Sequence, residues 1–288
     1  KRLKAFREEA NYSQQDLAKM LGTTQQTIGR WETGKAEPNL SALRDLAMIF
    51  GTGIDDLLGT NPLSKKAPST WLQYSDPENS ARDGFWGHVG LLLPEHKQTK
   101  WWPITIRTAE EIGQAIDDSK CKWFCVSTLN NRMLTINPLK LKRIWLLDDA
   151  CDAPDDWSKE TVSDYSGQPL EFYRGLNDFF FSRDEFLATT SSTFRETIEE
   201  YVKERELNED SAIKMLHDSA VYHVDGTSNA YCAEPSNLDE LVFNIEAGLP
   251  PKMISRHAFG GDFEGYYPAE GICLNEVPLS DLIEAAQG

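Results

Sequence analysis

Between Leu3 and Leu58, apolar residues recur at three- and four-residue intervals, broken by polar stops, and this spacing predicts a run of four or five short helices. Leu3 and Phe6, with Arg7, begin an amphipathic helix that ends near Ala10-Asn11, where Asn tolerates the left-handed conformation that stops a helix. Ser13 supplies a hydroxyl to cap the next helix, along which Leu17 and Leu21 share a face until Gly22 ends it. Thr23 or Thr24 caps a third helix, Gln25 to Thr33. There Ile28 and Trp31 face inward, Gln25, Gln26, Gly29 and Arg30 face out, and Gly34 terminates. After Pro38, Leu40, Leu43, Leu46, Ala47 and Phe50 keep helical spacing up to Gly51, and Ile54 to Leu58 closes the segment.

Periodicity then stops. Residues 60–70 are polar, contain prolines and carry Lys65-Lys66, which is the composition of a linker. From Trp71 onward strand-like and helix-like stretches mix, and seven of the eight tryptophans, Trp71 included, lie there. Trp102–Ile106, Trp123–Val126, Met133–Ile136, Leu141–Leu147 and Ala220–Val224 read as strands. Thr108 with Glu111 predicts a capping box opening a helix to about Ser119. Further helices are expected over 170–181, 192–206 and 209–218, with a turn at Asp225-Gly226. Short strands between glycine-rich turns are expected from Met253, before a last helical stretch. Asn137-Pro138 running into Leu139–Asp148 is echoed by Glu234-Pro235 running into Ser236–Glu246, either a duplicated β-rich, barrel-like module or a chance likeness. The fold class is therefore an all-α domain of five helices followed by a larger α+β domain. Its divisions are 1–59, a linker at 60–70, and 71–288.

The length of 288 residues suits two domains, and 40% hydrophobic with 26% charged residues is an ordinary globular composition. The sequence contains no apolar run of the roughly 20 residues that span a bilayer. It starts at Lys1-Arg2 without Met or an apolar leader, so a trimmed start, a cytoplasmic location and no membrane partner are expected. Five cysteines without framework spacing fit a reducing compartment. The net charge of −17 is unevenly placed: residues 1–69 hold 10 Lys/Arg against 8 Asp/Glu, and residues 70–288 hold 19 against 38. Polyphosphate repels the second segment, so contact with DNA is confined to the first.

Two short helices joined by Gly22-Thr23-Thr24 form a helix-turn-helix, whose second helix can present its N-terminal side chains to base edges in the major groove. A carboxamide such as that of Gln25 or Gln26 can pair in bidentate fashion with adenine, and Arg30 can fork onto guanine or grip a phosphate. By themselves these groups could equally be a solvated helix face. The string SQQDLAKMLGTTQQTIGRWETGKAEPNLSALRDLAMIFG resembles the lambda-repressor-like (Xre/Cro) helix-turn-helix family over residues 3–58. The resemblance rests on the motifs S-Q-x-x-L-A-x-x-L-G, T-I-x-x-W-E-x-G and P-x-L-x-x-L. It implies that Gln14 contacts phosphate and buttresses a base-reading amide, that Thr24, Gln25, Gln26 and Arg30 face the bases, and that Ser13 and Thr33 hold phosphates. It also implies that Arg7 and Glu32 tie the first helix to the third. Arg30, where related phage repressors carry Gln, and Asn11, usually Gly, depart from the family pattern.

The remainder offers no catalytic constellation. No G-x-S-x-G, H-E-x-x-H, phosphate-binding or dinucleotide loop is present, and Gly260-Gly261-Asp262-Phe263 has Phe where a self-cleaving repressor needs Ser. Cys121 and Cys125, expected on one face of a strand, and five scattered histidines lack metal-ligand spacing. The acid runs at Asp148-Asp149 and Asp152–Asp156 read as solvated loops. The expectation is a transcriptional regulator, a repressor, and not an enzyme, with no cofactor or metal. It binds a palindromic double-stranded DNA operator as a homodimer, and its acidic domain serves dimerisation or senses a small-molecule or protein effector. The alternative is an antitoxin or adaptor whose acidic domain captures a basic partner.

Overall fold

The computed structural model describes residues 2–61, 84–158, 162, 164–232, 242, 244, 245, 249, 252–257 and 264–287. The linker expected at 60–70, apart from its first two residues, lies outside them, as do Gly260–Phe263 and most of the Glu234–Glu246 echo. In chain order the elements begin with α1 (Arg2–Glu9), α2 (Gln14–Met20), α3 (Gln25–Glu32), α4 (Leu40–Ile49) and α5 (Ile54–Leu58). Then come β1 (Gly87–Leu92), β2 (Lys100–Ile104), α6 (Ile106–Asp117), β3 (Phe124–Ser127), β4 (Arg132–Ile136) and β5 (Arg143–Asp148). Next are α7 (Leu170–Phe181), α8 (Arg183–Thr189), α9 (Ser192–Glu204), α10 (Glu209–His217), β6 (Asp218–His223) and β7 (Ser228–Cys232). The last are β8 (Met253–His257), β9 (Glu264–Pro268), β10 (Ile272–Pro278) and α11 (Leu279–Ala285). None of the described helices is long and apolar enough to cross a membrane.

The chain forms two compact units that do not follow its linear order: residues 1–84 with 168–212, and residues 85–167 with 213–288. In the first unit, Phe6, Leu17, Ile28, Leu46, Ala47, Phe50 and Leu57 close the small core of α1 to α5. Helices α7 to α9 join this unit because α4 carries a buried cation. The Arg44 guanidinium sits 2.7 Å from a Glu171 carboxylate oxygen and 2.7 Å from one of Asp178, both on α7. It also donates to the Thr189 hydroxyl at 2.9 Å and lies 5.2 Å from the centre of the Phe194 ring. Asp45 accepts from the Ser191 hydroxyl at 2.7 Å, and Arg174 pairs with Asp55 on α5. Gly175 lets α7 and α9 approach, since a Cβ there would meet the Phe194 ring at 2.3 Å.

The second unit holds an antiparallel three-stranded sheet, β2-β1-β5, an antiparallel five-stranded sheet, β3-β4-β10-β6-β7, and the hairpin β8-β9. Among the described residues every sheet is open, so the barrel-like modules anticipated from the sequence do not form. Val89, Leu91, Trp102, Ile104, Ile112, Phe124, Leu134, Ile136 and Leu274 build its main core. The expected strands and helices sit within a few residues of their anticipated places. The Thr108–Glu111 capping box is not formed. Thr105, three residues earlier, caps α6 by accepting from the Thr108 amide at 3.1 Å, and Glu111 pairs with Arg107 at 3.0 Å. Cys121 precedes β3 in a turn and does not share its face with Cys125, and among the described residues no His, Cys, Asp or Glu cluster could hold a metal ion.

Candidate nucleic-acid interface

Local punctuation fixes the two helices of the motif. Asn11 adopts a left-handed φ of 56° after α1, and Gly22 (61°) and Gly34 (72°) do the same after α2 and α3. Ser13 caps α2 in a reciprocal box: its hydroxyl accepts from the Asp16 amide at 3.1 Å, and the Asp16 carboxylate accepts from the Ser13 amide at 2.9 Å. These bonds hold the Asp16 carboxyl below its ordinary pKa. Thr24 caps α3 by accepting from the Thr27 amide at 3.2 Å, and its hydroxyl also bonds that of Thr27 at 2.8 Å. Replacing Ser13 by Ala is expected to cost about 1 kcal/mol of stability, whereas Ser13→Asn keeps a capping oxygen and costs little. Thermal melts of the two variants check this, and equal melting of Ser13→Ala and the parent protein would exclude the cap as a contributor.

Beneath the exposed face lies a buried tie. Arg7 of α1 donates to both carboxylate oxygens of Glu32 at 2.6 and 3.3 Å and to the Tyr12 carbonyl at 2.7 Å. Gln14 of α2 donates to Glu32 at 2.8 Å, so one carboxylate binds α1, α2 and α3 together. Burial pushes the Glu32 carboxyl up, but the bonds from Arg7 and Gln14 outweigh it and leave it below the usual range. The Glu32 bond raises the pKa of Arg7. The Gln14 amide packs over Gly29 of α3, 3.7 Å from where a Cβ would stand, an ordinary packing distance.

The expected site residues divide into two kinds. Ser13, Thr24, Gln25, Gln26, Arg30 and Thr33 are exposed on α3 and at the start of α2, and Gln14 is half-buried. Gln25 and Gln26 occupy the first turn of α3, at the positive end of its backbone dipole. Thr33 donates to the Gly29 carbonyl at 2.8 Å, so its hydroxyl is already engaged with the helix it ends. The Arg7–Glu32 pair was legible from the motif. The Gln14–Glu32 bond and the sharing of Thr24 by Thr27 were not, although a polar residue at the start of α2 facing the acid of W-E was the available signal.

Residues 3–57 match the family model for a helix-turn-helix. Over 57 residues, 20% of this chain and 53% of the relative, it is 49% identical to a SPbeta prophage-derived uncharacterized HTH-type transcriptional regulator of Bacillus subtilis, YonR. It is 37% identical over 75 residues, 24% of this chain and 65% of the relative, to the HTH-type transcriptional regulator AnsR of the same organism. An uncharacterized HTH-type transcriptional regulator of Methanocaldococcus jannaschii is 43% identical over 56 residues, which are 19% of this chain and 85% of that protein. The chain thus spans about half to two thirds of the length of the two Bacillus subtilis relatives. No solved structure matches. The capped α2 and α3, the buried tie beneath them and this shared sequence together place the chain, through its N-terminal helices, in the helix-turn-helix family of transcriptional regulators.

Proposed function

We propose that the chain is a sequence-specific repressor that reads double-stranded DNA through α3 and binds a palindromic operator as a homodimer in the cytoplasm. Thr24, Gln25, Gln26 and Arg30 face the bases, Ser13 and Thr33 meet the phosphate backbone, and Gln14 contacts phosphate while bracing α3. DNA contact is confined to residues 1–59, residues 60–70 link, and residues 71–288 supply dimerisation or sensing of an effector. The observation that carries this reading is the exposed, polar first turn of α3, held from behind by the Arg7–Glu32–Gln14 tie. Base-edge readers must be fixed to within a fraction of an ångström to discriminate, and a buried charge pair is one way to fix them.

A single reader helix spans too few base pairs for useful affinity, whereas two copies double the contact. The expected footprint on a sequence selected from random duplexes is therefore two-fold symmetric. Its half-sites lie one helical turn, about 10 base pairs, or a multiple apart. Protection of a single asymmetric half-site by a monomer would refute the dimeric reading. Repression is the simplest consequence, because a dimer covering an operator excludes other proteins from the same duplex. Reporter expression that falls when the chain is supplied, and recovers when Gln25 and Gln26 are both replaced, tests that step.

A further inference from the structure

β5 is an edge strand. The three-stranded sheet runs β2-β1-β5, and among the described residues no strand pairs with the outer side of β5. Soluble folds ordinarily blunt such edges with a charge, a proline or a bulge. The centre of β5, Ile144-Trp145-Leu146-Leu147, has neither charge nor proline, and it pairs with β1 in unbroken register from Arg143 to Asp148. Successive strand side chains point to opposite faces. The alternation leaves a large apolar group exposed on each: Trp145 at 37% on one and Leu146 at 37% on the other. A partner docking against one face would cover one of them, while an added strand covers both.

The charges flanking this stretch select the occupant. Lys142 and Arg143 precede it, and Asp148 and Asp149 follow it. Antiparallel pairing with an identical strand sets the basic end of each against the acidic end of the other, whereas parallel pairing would set like charges together. A two-fold axis through a self-paired strand requires the antiparallel arrangement. We propose that β5 is the homodimer interface, pairing with β5 of a second copy so that the two three-stranded sheets become one continuous sheet. With the axis at Trp145, Ile144 lies opposite the second copy's Leu146, and Lys142 opposite its Asp148. Arg143 is held by Asp156 and lies 4.8 Å from the centre of the Trp145 ring, so Lys142 is the cation that meets the second copy.

This interface rests on the dimeric reading proposed above, and sedimentation of the full chain separates the two. Lys142→Glu and Asp148→Lys are each expected to weaken self-association at least about ten-fold, because each sets like charges opposite one another twice. An equimolar mixture of the two variants restores association to near the parent level, since every cross-strand pair is then of opposite sign. A parent chain that is monomeric at all concentrations overturns both the interface and the dimeric reading. A dimer unaffected by either variant overturns the interface alone. Weakening without recovery in the mixture overturns the strand pairing, because opposite charges set across the axis must then restore association.

Discussion

Replacing Arg44 by Ala is expected to lower the unfolding free energy of the chain by about 3–5 kcal/mol, the loss typical of removing one partner from a buried ion pair. The Arg44 side chain is 5% exposed and that of Glu171 is 2% exposed, so the deletion strands a carboxyl group and part of Asp178 away from water. It also opens a void against Phe194. Urea denaturation followed by circular dichroism measures the loss, and a change below about 1 kcal/mol would show that water already enters the cluster. Replacing Arg44, Glu171 and Asp178 together by apolar residues of similar size is expected to recover most of the stability, since no charge is then left unpaired.

Glu171 adds a pH dependence of defined sign. Burial pushes its carboxyl up from 4.5 to about 7, against the pull of Arg44 and Arg174. The folded state therefore holds a proton that the unfolded state has released between these values, and stability falls as pH rises through that window. Glu171→Gln, which cannot titrate, is expected to flatten this part of the profile. Glu9 is also raised to about 7 by burial, so the difference between parent and variant, and not either profile alone, isolates Glu171.

The N-terminal helices were legible because everything that shapes them is local. Asn11, Gly22 and Gly34 each take the left-handed conformation that their residue types invite, and the apolar spacing marks the buried set. The spacing was less reliable at Leu40, which is 45% exposed, and it gave no hint that Arg44, one turn later, is buried at 4%. Nothing near Arg44 in the chain announces its partners, which lie more than a hundred residues away on α7. The same cause hides the association of α7 to α9 with the first unit: α7 and α9 read as helices and α8 was not anticipated, and what each packs against is a long-range fact. β1 escaped notice for another reason. Gly87 and Gly90 depress its strand propensity, yet both are needed, since a Cβ at Gly90 would strike the Trp101 ring at 2.5 Å and one at Gly87 the Leu147 carbonyl at 2.0 Å. At α6 the capping-box pattern pointed to Thr108, whereas the cap is Thr105, whose hydroxyl accepts from the Thr108 amide and leaves Thr108 inside the first turn. The candidate residues of α2 and α3 were legible as polar types on an exposed face. Their support was legible only in part, since Arg7–Glu32 carries a family signature and Gln14–Glu32 does not.

Reading and positioning within the interface are expected to fail differently. Gln25 and Gln26 stand exposed in the first turn of α3, where a short side chain can reach a base edge. Replacing either by Ala should remove about 1–3 kcal/mol of discrimination at one base position and leave non-specific binding nearly intact. Ser13 and Thr33 sit at helix ends, where a hydroxyl meets backbone, and their replacement should weaken binding to all sequences alike. Ser13→Asn is the variant to compare with Ser13→Ala, because it preserves the cap on α2 and so separates phosphate contact from helix stability. Thr33→Val tests the other end, and it gives up the bonds its hydroxyl donates to the Gly29 and Arg30 carbonyls at 2.8 and 3.2 Å. Arg30 discriminates between the two modes most sharply. It lies on α3 four residues beyond Gln26 and shares its face, an arrangement that would let its stem follow the groove floor and its guanidinium fork onto a guanine. On that assignment, titrating Arg30→Ala against a panel of operator variants shows affinity lost only for the preferred base at a single position. A uniform loss across the panel, with the salt dependence of binding shallower by about one unit, would place Arg30 on a phosphate and remove it from the reading set.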